Sequence, residues 1–399
     1  MDGYRFIHSL TLKNFLSYGS EETTIELEPL NVIIGPNASG KSNLIEALNL
    51  VSALPRDIHR PIREGDGIHE WLWKGEAANP VAGMEIVIDF PHGEWPLCYG
   101  LDFTEARQKF EIVKEQVKSF DRRNGRDSYF YSYVDGVASL FRNLDEDLIP
   151  GDSRNRQRNT IEIAHNRSVF TEIKDRSQYP ELNYLSEKFS GIKIYRELNL
   201  GRSSPMRRPQ KPDSPEDFLL EDASNLGLVV NNLEPRLGRR FLAEKLQAIN
   251  ENVEEIYTNI QGGTVQLLLQ ERWLREPIPA TRLSDGTLRY LCLLTILCHP
   301  DPPPLICIEE PELGLHPDVM QSLAKLLIAA SQKTQLIITT HSDVLVSALS
   351  EFPEVVIVCE KDSAGSHLQR LDPKRLNDWL ENYSLGEIWL MGEIGAKRW

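Results

Sequence analysis

Apolar and polar residues alternate near the N-terminus, where Leu10 and Leu12 are separated by polar side chains and Ile25 and Leu27 repeat the arrangement. A period of two with one apolar face predicts half-buried strands. Residues 32–34 are apolar without interruption, as in a strand that is buried on both faces. Further strands are predicted over residues 84–90 and 97–103.

Helical spacing begins after a glycine-rich segment that follows this apolar run. Leu44, Leu48 and Val51 recur three or four residues apart, which predicts an amphipathic helix. In the second half of the chain, short apolar strands again alternate with helical patterns, which is typical of an α/β fold. The elements predicted there are a helix over 241–256, a buried helix over 288–298, a helix that begins at Pro317, and buried strands over 305–308, 336–338 and 355–358.

The glycine-rich segment, GPNASGKS at residues 35–42, matches the phosphate-binding pattern G-x-x-x-x-G-K-[ST] (Walker A) in full. Gly35 and Gly40 allow the backbone to curl so that successive N–H groups converge on a phosphate at a helix N-terminus. Lys41 is expected to reach the β- and γ-phosphates, and Ser42 to offer its hydroxyl to Mg²⁺. The nucleotide-binding residues predicted here are Gly35, Pro36, Asn37, Ala38, Ser39, Gly40, Lys41, Ser42 and Asn43.

Two adjacent acids follow the predicted strand LICI in the sequence LICIEEPE. Neighbours on a strand point to opposite sides, so Glu309 is predicted to join Ser42 at the metal, and Glu310 to act as general base or to orient the attacking water. His341 follows the next buried strand and is predicted to hydrogen-bond the γ-phosphate or this water. For Glu312, chemistry and shaping of the turn both stay open. The predicted catalytic residues are Lys41, Glu310 and His341.

The segment RLSDG, at residues 282–286, directly precedes the predicted apolar helix. Ser284 is a natural N-cap, and on its own this segment predicts only a capped helix. With the phosphate loop upstream and the carboxylates downstream, it matches the signature motif of ABC-type ATPases. Ser284, Asp285 and Gly286 are therefore predicted to contact nucleotide.

Five segments together resemble the RecF/SMC-like branch of ABC-type ATPases, most closely its OLD-like AAA-15/AAA-21 groups: FIHSLTLKNFLSY, GPNASGKS, RLSDGTLRYL, IEEPELGLHP and TTHS. The resemblance covers residues 1–55 and 220–360 well and 104–215 poorly. It implies that the signature serine and glycine of one chain grip the γ-phosphate bound by another chain. The expected cofactors are therefore ATP and Mg²⁺, and the expected assembly is a homodimer or a higher even oligomer. Glu309 is a departure, because P-loop ATPases usually carry Asp at the metal position.

The implied fold is an α/β ABC-type (P-loop) nucleotide-binding domain with an N-terminal antiparallel β subdomain and a central mixed α/β, largely helical insertion. Residues 1–103 would form its N-terminal half, 104–275 the insertion and 276–399 its C-terminal half, with the D-loop at 314–318. Within the insertion, residues 201–215 are predicted to be mobile because they are rich in Pro, Ser and Arg. No heptad pattern is sustained, so a long coiled-coil arm is not expected.

The composition is ordinary for a globular protein, with 41% hydrophobic residues among 399. No apolar stretch approaches the ~18 residues of a membrane span, and the N-terminus lacks the pattern of a secretory signal. The five cysteines form no C-x-x-C pair, which predicts reduced thiols in a cytoplasmic protein.

The net charge of −15 argues against a surface that binds polyanions everywhere. Arginine-rich clusters nevertheless leave two alternatives open, solvated loops or a local DNA-binding face built from the insertion. These clusters are Arg122, Arg123 and Arg126; Arg154, Arg156 and Arg158; Arg202, Arg207, Arg208 and Lys211; and Arg236, Arg239 and Arg240.

Two functional hypotheses follow from the resemblance. OLD-type nucleases carry a C-terminal Toprim nuclease domain, and the chain after His341 is too short for one. Stand-alone ATPases of this layout are commonly encoded beside a separate effector, which implies the sensor or regulatory subunit of an anti-phage defence system with a separate effector nuclease. The alternative is a RecF-like DNA-repair ATPase that binds DNA on its own. A transporter subunit is disfavoured, because the phosphate loop and signature lie far apart in sequence.

Overall fold

The computed structural model of the protein describes residues 2–75, 80–121, 126–143, 156–173, 175, 178–198 and 200–395. Its strands are β1 (Ile7–Lys13), β2 (Thr23–Glu26), β3 (Leu30–Ile34), β4 (Ala82–Ile88), β5 (Leu97–Ala106), β6 (Lys109–Asp121), β7 (Arg126–Val134), β8 (Val137–Asn143), β9 (Arg156–Ile161), β10 (Lys193–Tyr195), β11 (Val253–Gln261), β12 (Thr264–Glu271), β13 (Ile278–Pro279), β14 (Leu305–Glu309), β15 (Gln335–Thr339), β16 (Val356–Asp362) and β17 (Gly365–Arg370). Its α-helices are α1 (Lys41–Ala53), α2 (His59–Glu64), α3 (Ile68–Trp71), α4 (Val169–Glu172), α5 (Pro180–Gly191), α6 (Leu226–Leu237), α7 (Phe241–Leu246), α8 (Asp285–Leu297), α9 (Met320–Ser331), α10 (Asp343–Ser347), α11 (Pro373–Leu380) and α12 (Leu385–Met391). Among these described helices, none is both long and apolar enough to cross a membrane.

Two large sheets build the fold. The first is antiparallel, with eight strands in the order β2-β1-β4-β5-β6-β7-β8-β9. The second has six strands in the order β10-β14-β15-β3-β16-β17, of which all but the antiparallel edge strand β17 are parallel. A small third sheet contains β11, β12 and β13. In the parallel sheet, the carboxyl ends of β3, β14 and β15 lie at one edge, and the predicted motifs follow these ends.

The parallel sheet separates two hydrophobic cores, because successive side chains of a strand point to opposite faces. On β3, Val32 and Ile34 belong to the first core and Ile33 to the second, and β15 repeats this arrangement. The first core includes side chains of α6, α8 and α9, whereas the second includes those of α1 and the antiparallel sheet. Burial on both faces therefore explains the uninterrupted apolar runs, as predicted.

The predicted α/β architecture is confirmed, and most of its elements lie where the pattern placed them. The phosphate loop connects β3 to α1, and α8 is the buried helix that follows the signature segment. Pro317 opens a 3₁₀ turn, Pro317–Val319, that leads directly into α9. The predicted strands near residues 305, 336 and 355 are β14, β15 and β16.

The middle segment contains both helices and strands, but its first part is less helical than the expected largely helical insertion. Strands β6 to β9 extend the N-terminal antiparallel sheet, and the first helix in the described part of the middle segment is α4. On β6, Phe110 and Ile112 are buried two positions apart, the spacing of a strand with one covered face. The boundaries 1–103, 104–275 and 276–399 stay predictions, and the first falls inside β5.

The helix predicted over residues 241–256 is wrong in its second half. Helix α7 ends at Leu246, and β11 begins at Val253. Between them, the Asn250 side chain accepts a hydrogen bond from the backbone N–H of Asn252 (3.1 Å), and such local bonds favour turns over helices. The β-branched Val253 and Ile256 then favour a strand.

Residues 201–215 are mostly exposed, but four of them are buried, and the mobility predicted from their composition stays a prediction. Met206 is fully buried, and Arg207 is only 6% exposed. The backbone of Gln210 exchanges two 2.8 Å hydrogen bonds with Val265 of β12. A segment without periodicity is thus held by distant partners, which composition does not reveal.

The arginine clusters have different environments. Arg122, Arg123 and Arg154 lie outside the described residues, as do the side chains of Arg126 and Arg156. Arg236 and Arg239 pair with Asp301 and Glu255, and Arg158 donates to the Ser139 hydroxyl (3.0 Å). Arg207 is buried, whereas Arg158, Arg202, Arg208, Lys211, Arg236, Arg239 and Arg240 are exposed. DNA binding through the insertion stays a prediction.

Candidate active site

The phosphate loop has a backbone that only small residues can follow. Gly35 has φ 147° and Gly40 has φ 110°, in the left-handed region that favours glycine. A Cβ atom on Gly35 would lie 2.1 Å from the Cys359 carbonyl oxygen, and one on Gly40 would lie 2.3 Å from Ser366 Oγ. Ala38 also has a positive φ, 61°. These turns curl the loop around the N-terminus of α1, as the pattern predicted.

Residues outside the motif hold the phosphate loop and the start of α1 through hydrogen bonds. The Asn43 side-chain amide donates to Ser17 Oγ (2.7 Å), and Ser366 Oγ donates to the Ser39 carbonyl (2.6 Å). Ser366 is fully buried on β17. Sequence reasoning missed Ser17 and Ser366, although Ser17 belongs to the FLSY segment that carries the family resemblance.

Lys41 points back along the loop. Its ammonium donates to the carbonyl oxygens of Gly35 (2.8 Å) and Pro36 (2.9 Å), and the residue is 6% exposed. Burial lowers the pKa of Lys41, while the negative charges of Glu309 and Glu310 act in the opposite direction. The ammonium is thus held where a phosphate bound in the loop would meet it.

The predicted metal residues are adjacent. Ser42 Oγ donates to Glu309 Oε2 at 3.0 Å, which joins the start of α1 to the end of β14. Burial raises the pKa of Glu309, and the Ser42 hydrogen bond and the Arg196 charge oppose this effect. One hydroxyl and one carboxylate are hard oxygen ligands that suit Mg²⁺, which usually takes few protein ligands and completes its shell with phosphate oxygens and water. The described residues include no cluster of three or more His, Cys, Asp or Glu side chains that could hold a metal.

Arg196 is a charged residue near the carboxyl ends of the parallel strands, and sequence reasoning missed it. It directly follows β10, which pairs in parallel with β14 so that Tyr195 lies opposite Ile308. Its Nε lies 3.7 Å from Glu309 Oε1, and its guanidinium also hydrogen-bonds Glu46 of α1. No motif marks this residue, and only the pairing of β10 with β14 brings it to the carboxylate.

Glu310 occupies a strained turn that aims it away from Glu309. Its φ is 46°, and its backbone N–H donates to the Thr339 carbonyl of the neighbouring strand (2.9 Å). Arg289 of α8 donates to the Glu310 carbonyl (3.1 Å), which fixes the turn from the other side. His341 Nε2 lies 3.6 Å from Glu310 Oε1. The structure thus brings the two predicted catalytic side chains together.

Glu312 shapes the neighbouring loop. Its Oε1 accepts from the Thr340 hydroxyl (2.6 Å) and from the backbone N–H of His341 (2.9 Å). Burial raises the pKa of Glu312, and these hydrogen bonds act in the opposite direction. Of the two interpretations left open by the sequence, these contacts favour a positioning role for His341.

The phosphate loop and the ends of the neighbouring strands surround a cleft of about 380 Å³. Its lining combines residues 37–43 of the loop with Glu310, Thr339 and His341, and it adds Ser17 and Lys361. The predicted signature residues Ser284, Asp285 and Gly286 are not part of this lining. One chain therefore assembles residues 37–43 of the loop with Glu310 and His341, whereas Glu309 and the signature residues lie outside this lining.

The signature segment caps α8. Ser284 Oγ accepts from the backbone N–H of Thr287 (3.1 Å), so the predicted N-cap is confirmed. Ser284 is exposed. A Cβ atom on Gly286 would lie 3.1 Å from the Gly314 carbonyl, which places the signature glycine against the predicted D-loop.

The buried Arg207 ties this segment to the rest of the chain. Its Nη1 donates to the carbonyls of Ala280 (3.1 Å) and Leu283 (2.6 Å), and its Nη2 bonds Asp285, whose side chain is 62% exposed. Sequence reasoning placed Arg207 in a cluster that is either solvated or part of a DNA-binding face, and it missed this role.

Comparison with known proteins agrees with this geometry. Residues 30–347 match the AAA_21 protein family, described as "AAA domain, putative AbiEii toxin, Type IV TA system". The chain belongs to this family. It is an ATPase of the RecF/SMC-like ABC type, and membership of this family implies that it binds nucleotide.

Two relatives show the range of this similarity. The DNA replication and repair protein RecF of Staphylococcus haemolyticus is 28% identical over 281 residues, 70% of this chain and 62% of RecF. The chain thus spans less than two thirds of that relative. The ATP/GTP phosphatase of Helicobacter pylori is 22% identical over 377 residues, which cover 90% of each protein.

Solved structures confirm the fold. An SMC head bound to the C-terminal winged-helix domain of ScpA has a TM-score of 0.56 at 16% identity, covering 93% of this chain and 99% of that one. The SMC head of Pyrococcus furiosus with an extended coiled coil, also bound to ScpA, has a TM-score of 0.54 at 14% identity, covering 94% and 98%. The fold class predicted from the sequence, an ABC-type nucleotide-binding domain, is confirmed.

Proposed function

We propose that ATP joins two copies of the chain, each of which supplies one half of each active site. The observation that carries this proposal is the separation of the halves within one chain. The cleft contains the phosphate loop, Glu310 and His341, whereas Ser284 is exposed outside its lining. N–H groups at the start of a helix attract phosphate, so the partner's signature helix is a suitable second wall for the γ-phosphate.

In the closed site, Lys41 and the loop N–H groups bind the β- and γ-phosphates. Glu310 accepts a proton from the attacking water or orients it, and His341 hydrogen-bonds the γ-phosphate or this water. Mg²⁺, held by Ser42 and Glu309, would neutralise charge on the phosphates. Because both chains grip the same γ-phosphate, its loss loosens the dimer.

The biological role we propose is that of a sensor or regulatory subunit in anti-phage defence, whose ATP-dependent dimerisation gates a separate effector nuclease. The family description names a putative toxin and a type IV toxin–antitoxin system, which supports a role in a system that pairs a regulatory protein with a separate effector. The SMC heads that share the fold were solved with a bound partner protein, ScpA, which supports regulation through protein contacts.

The second candidate is a RecF-like ATPase that binds DNA unaided, and the similarity to RecF favours it. The net charge of −15 weighs against it. A salt titration of DNA binding separates the two, because phosphate contacts give a steep loss of affinity with salt. Tight, salt-sensitive binding by the chain alone would favour the RecF-like role.

Complementation tests the shared site directly. Lys41→Ala removes the phosphate-binding ammonium, and Ser284→Arg blocks the signature, so each variant alone should be inactive. A mixture forms heterodimers in which one composite site has both Lys41 and Ser284 intact. We expect ATP hydrolysis to reappear on mixing.

The matched control is a mixture of Lys41→Ala with the double variant Lys41→Ala/Ser284→Arg, which contains no intact site. Full turnover by Ser284→Arg alone would contradict the dimer. The gating role is tested separately, by assaying the product of a neighbouring gene for nuclease activity with wild type and with Glu310→Gln. Absence of any ATP-dependent change would contradict the effector hypothesis.

A further inference from the structure

A second cavity lies apart from the nucleotide cleft. Its volume is about 380 Å³, and it is enclosed by the C-terminal end of α1, strand β10 and residues 219–221. No residue lines both this cavity and the cleft. Three cationic side chains, Arg56, Arg60 and Lys193, line the cavity, and the proposed ATPase mechanism uses none of them.

Two of these cations, Lys193 and Arg56, line the cavity and have no partner carboxylate among the residues that the structure describes. Burial lowers the pKa of Lys193, and the charge of Arg56 lowers it further. Within the described residues, neither Lys193 nor Arg56 has a carboxylate at ion-pair distance. Lys193 Nζ lies 5.3 Å from the centre of the Phe218 ring, and Arg56 donates to the Ser190 carbonyl at 3.4 Å. Two like charges beside one space repel each other, and an anion between them would relieve this repulsion.

The two acids that line the cavity interact with cations other than Lys193 and Arg56. Asp57 Oδ2 lies 2.6 Å from Arg63, and this hydrogen bond lowers the pKa of Asp57. Burial raises the pKa of Glu221, while the charges of Arg196 and Arg60 act in the opposite direction. The third cation, Arg60, reaches Glu64 only at 3.9 Å.

We propose that this cavity binds a phosphate group, carried either by a small nucleotide or by a nucleic-acid strand. An arginine fork and an ammonium together match the geometry and charge of phosphate. Asn49 and Ser52 add hydrogen-bonding groups, and Ile192 and Leu219 provide an apolar surface for a sugar or a base. The volume lies in the range of small-molecule sites, about 300–1,000 Å³.

Strand β10 connects this cavity to the ATPase site. Lys193 and Tyr195 line the cavity, and the next residue, Arg196, lies 3.7 Å from Glu309. Because β10 pairs with β14, a ligand that orders β10 also orders the position of Arg196 beside the metal carboxylate. The ligand therefore regulates ATP hydrolysis. This effect rests on the proposed function, whereas binding to the cavity does not.

Binding is measured in the Lys41→Ala chain, in which the phosphate loop cannot compete. The probes are inorganic phosphate, AMP and a single-stranded oligothymidylate, each followed by isothermal titration calorimetry. We expect saturable binding that Arg56→Met/Lys193→Met weakens about tenfold or more, because two charged hydrogen bonds are lost. Lys325→Met, at an exposed position of α9, is the matched control and should change nothing.

The probes also distinguish the two sources of phosphate. Tight binding of AMP identifies a small nucleotide, and tight binding of the oligonucleotide alone identifies a nucleic-acid strand. If none of the probes binds saturably, or if Arg56→Met/Lys193→Met binds like the control, the proposed site is wrong.

Regulation is measured separately in chains with Lys41 intact. Lys193→Met should hydrolyse ATP at the basal rate of wild type but lose the change in rate that the binding probe causes in wild type. An equal response in both chains would overturn the regulatory link. Failure of wild type to hydrolyse ATP without any probe would instead contradict the proposed function and leave the binding measurement intact.

Discussion

Three glutamates follow one another within four positions at the end of β14, and each has a different environment. Glu309 accepts from Ser42 and faces Arg196, so it is suited to hold a cation. Glu312 is engaged by the loop that carries His341. Glu310 lines the cleft itself, beside the His341 ring. Position, and not residue type, therefore supports the proposal that Glu310 is the base.

Glu310→Gln tests this assignment. The amide keeps the size of the side chain but cannot accept the proton of water, so hydrolysis should fall about 10²–10⁴-fold. ATP binding should persist, because Lys41 and the loop are untouched, and the ATP-bound dimer should accumulate. Turnover and nucleotide affinity are measured together, with the exposed Glu351→Gln as control. Hydrolysis at the wild-type rate would remove Glu310 from the chemistry.

The environment of the buried Glu115 allows a prediction of how the free energy of unfolding depends on pH. It is 0% exposed and accepts from Tyr99 (2.9 Å), Ser168 (2.5 Å) and the backbone N–H of Val169 (3.0 Å). Burial raises the pKa of its carboxyl above the usual 4.5. The folded chain therefore holds this proton more tightly than the unfolded chain does, which stabilises the fold at low pH. This contribution is lost as the pH rises through the raised pKa.

Urea unfolding of wild type and Glu115→Gln measures this contribution. We expect the free energy of unfolding of wild type, minus that of the variant, to decrease between about pH 4.5 and pH 8. The glutamine does not titrate, so the variant supplies the reference. A difference that stays constant or grows over this range would contradict the raised pKa.

At the scale of elements, the sequence predicted the parts that depend on local pattern. Strand β3, the phosphate loop and α1 are continuous in sequence, and β14 and β15 end in the acids and the histidine of the site. Parallel strands bring such ends to one edge, so their proximity could be foreseen. Arg196 and Arg207 could not be, because each reaches the site through partners that are distant in sequence. The helix predicted beyond Leu246 failed for a local reason, an asparagine-rich turn.

The hydrogen bonds of Arg207 lead us to predict that this side chain holds the signature segment in position. Arg207→Lys keeps the charge but loses the planar fork, so the carbonyls of Ala280 and Leu283 lose donors. We expect the ATP-bound dimer to weaken about tenfold, the value of one hydrogen bond to a charged group. ATP binding by a single chain should not change, since the phosphate loop lies on another element.

The affinity of the ATP-bound dimer is measured by sedimentation of chains that also carry Glu310→Gln. The affinity of a single chain for ATP is measured in chains that also carry Ser284→Arg, in which dimer closure is blocked. Arg208→Lys, at the exposed neighbouring position, is the matched control. If Arg207→Lys lowers only thermal stability and leaves dimer affinity at the control value, Arg207 serves the fold and not the signature.

At the scale of the whole molecule, the parallel sheet explains why the two halves of the site are separate. Helix α1, which carries the phosphate loop, packs in the core on one face of the sheet, and α8, which carries the signature, packs in the core on the other face. Both cores are closely buried, so neither helix can cross the sheet without unfolding. A single chain thus carries the phosphate loop and the signature on different sides of the parallel sheet. A second chain is the simplest source of the missing half of each site.

If two chains share each site, as proposed, turnover is a property of the dimer. We expect the rate of ATP hydrolysis per chain to rise with protein concentration, over about 10 nM to 10 μM, and then to level off. Because ATP lies between the chains, more ATP should shift this rise to lower protein concentration. Ser284→Arg should stay low at every concentration. If wild type turns over at full rate when light scattering finds only single chains, each chain completes its own site and the signature must contact nucleotide in cis.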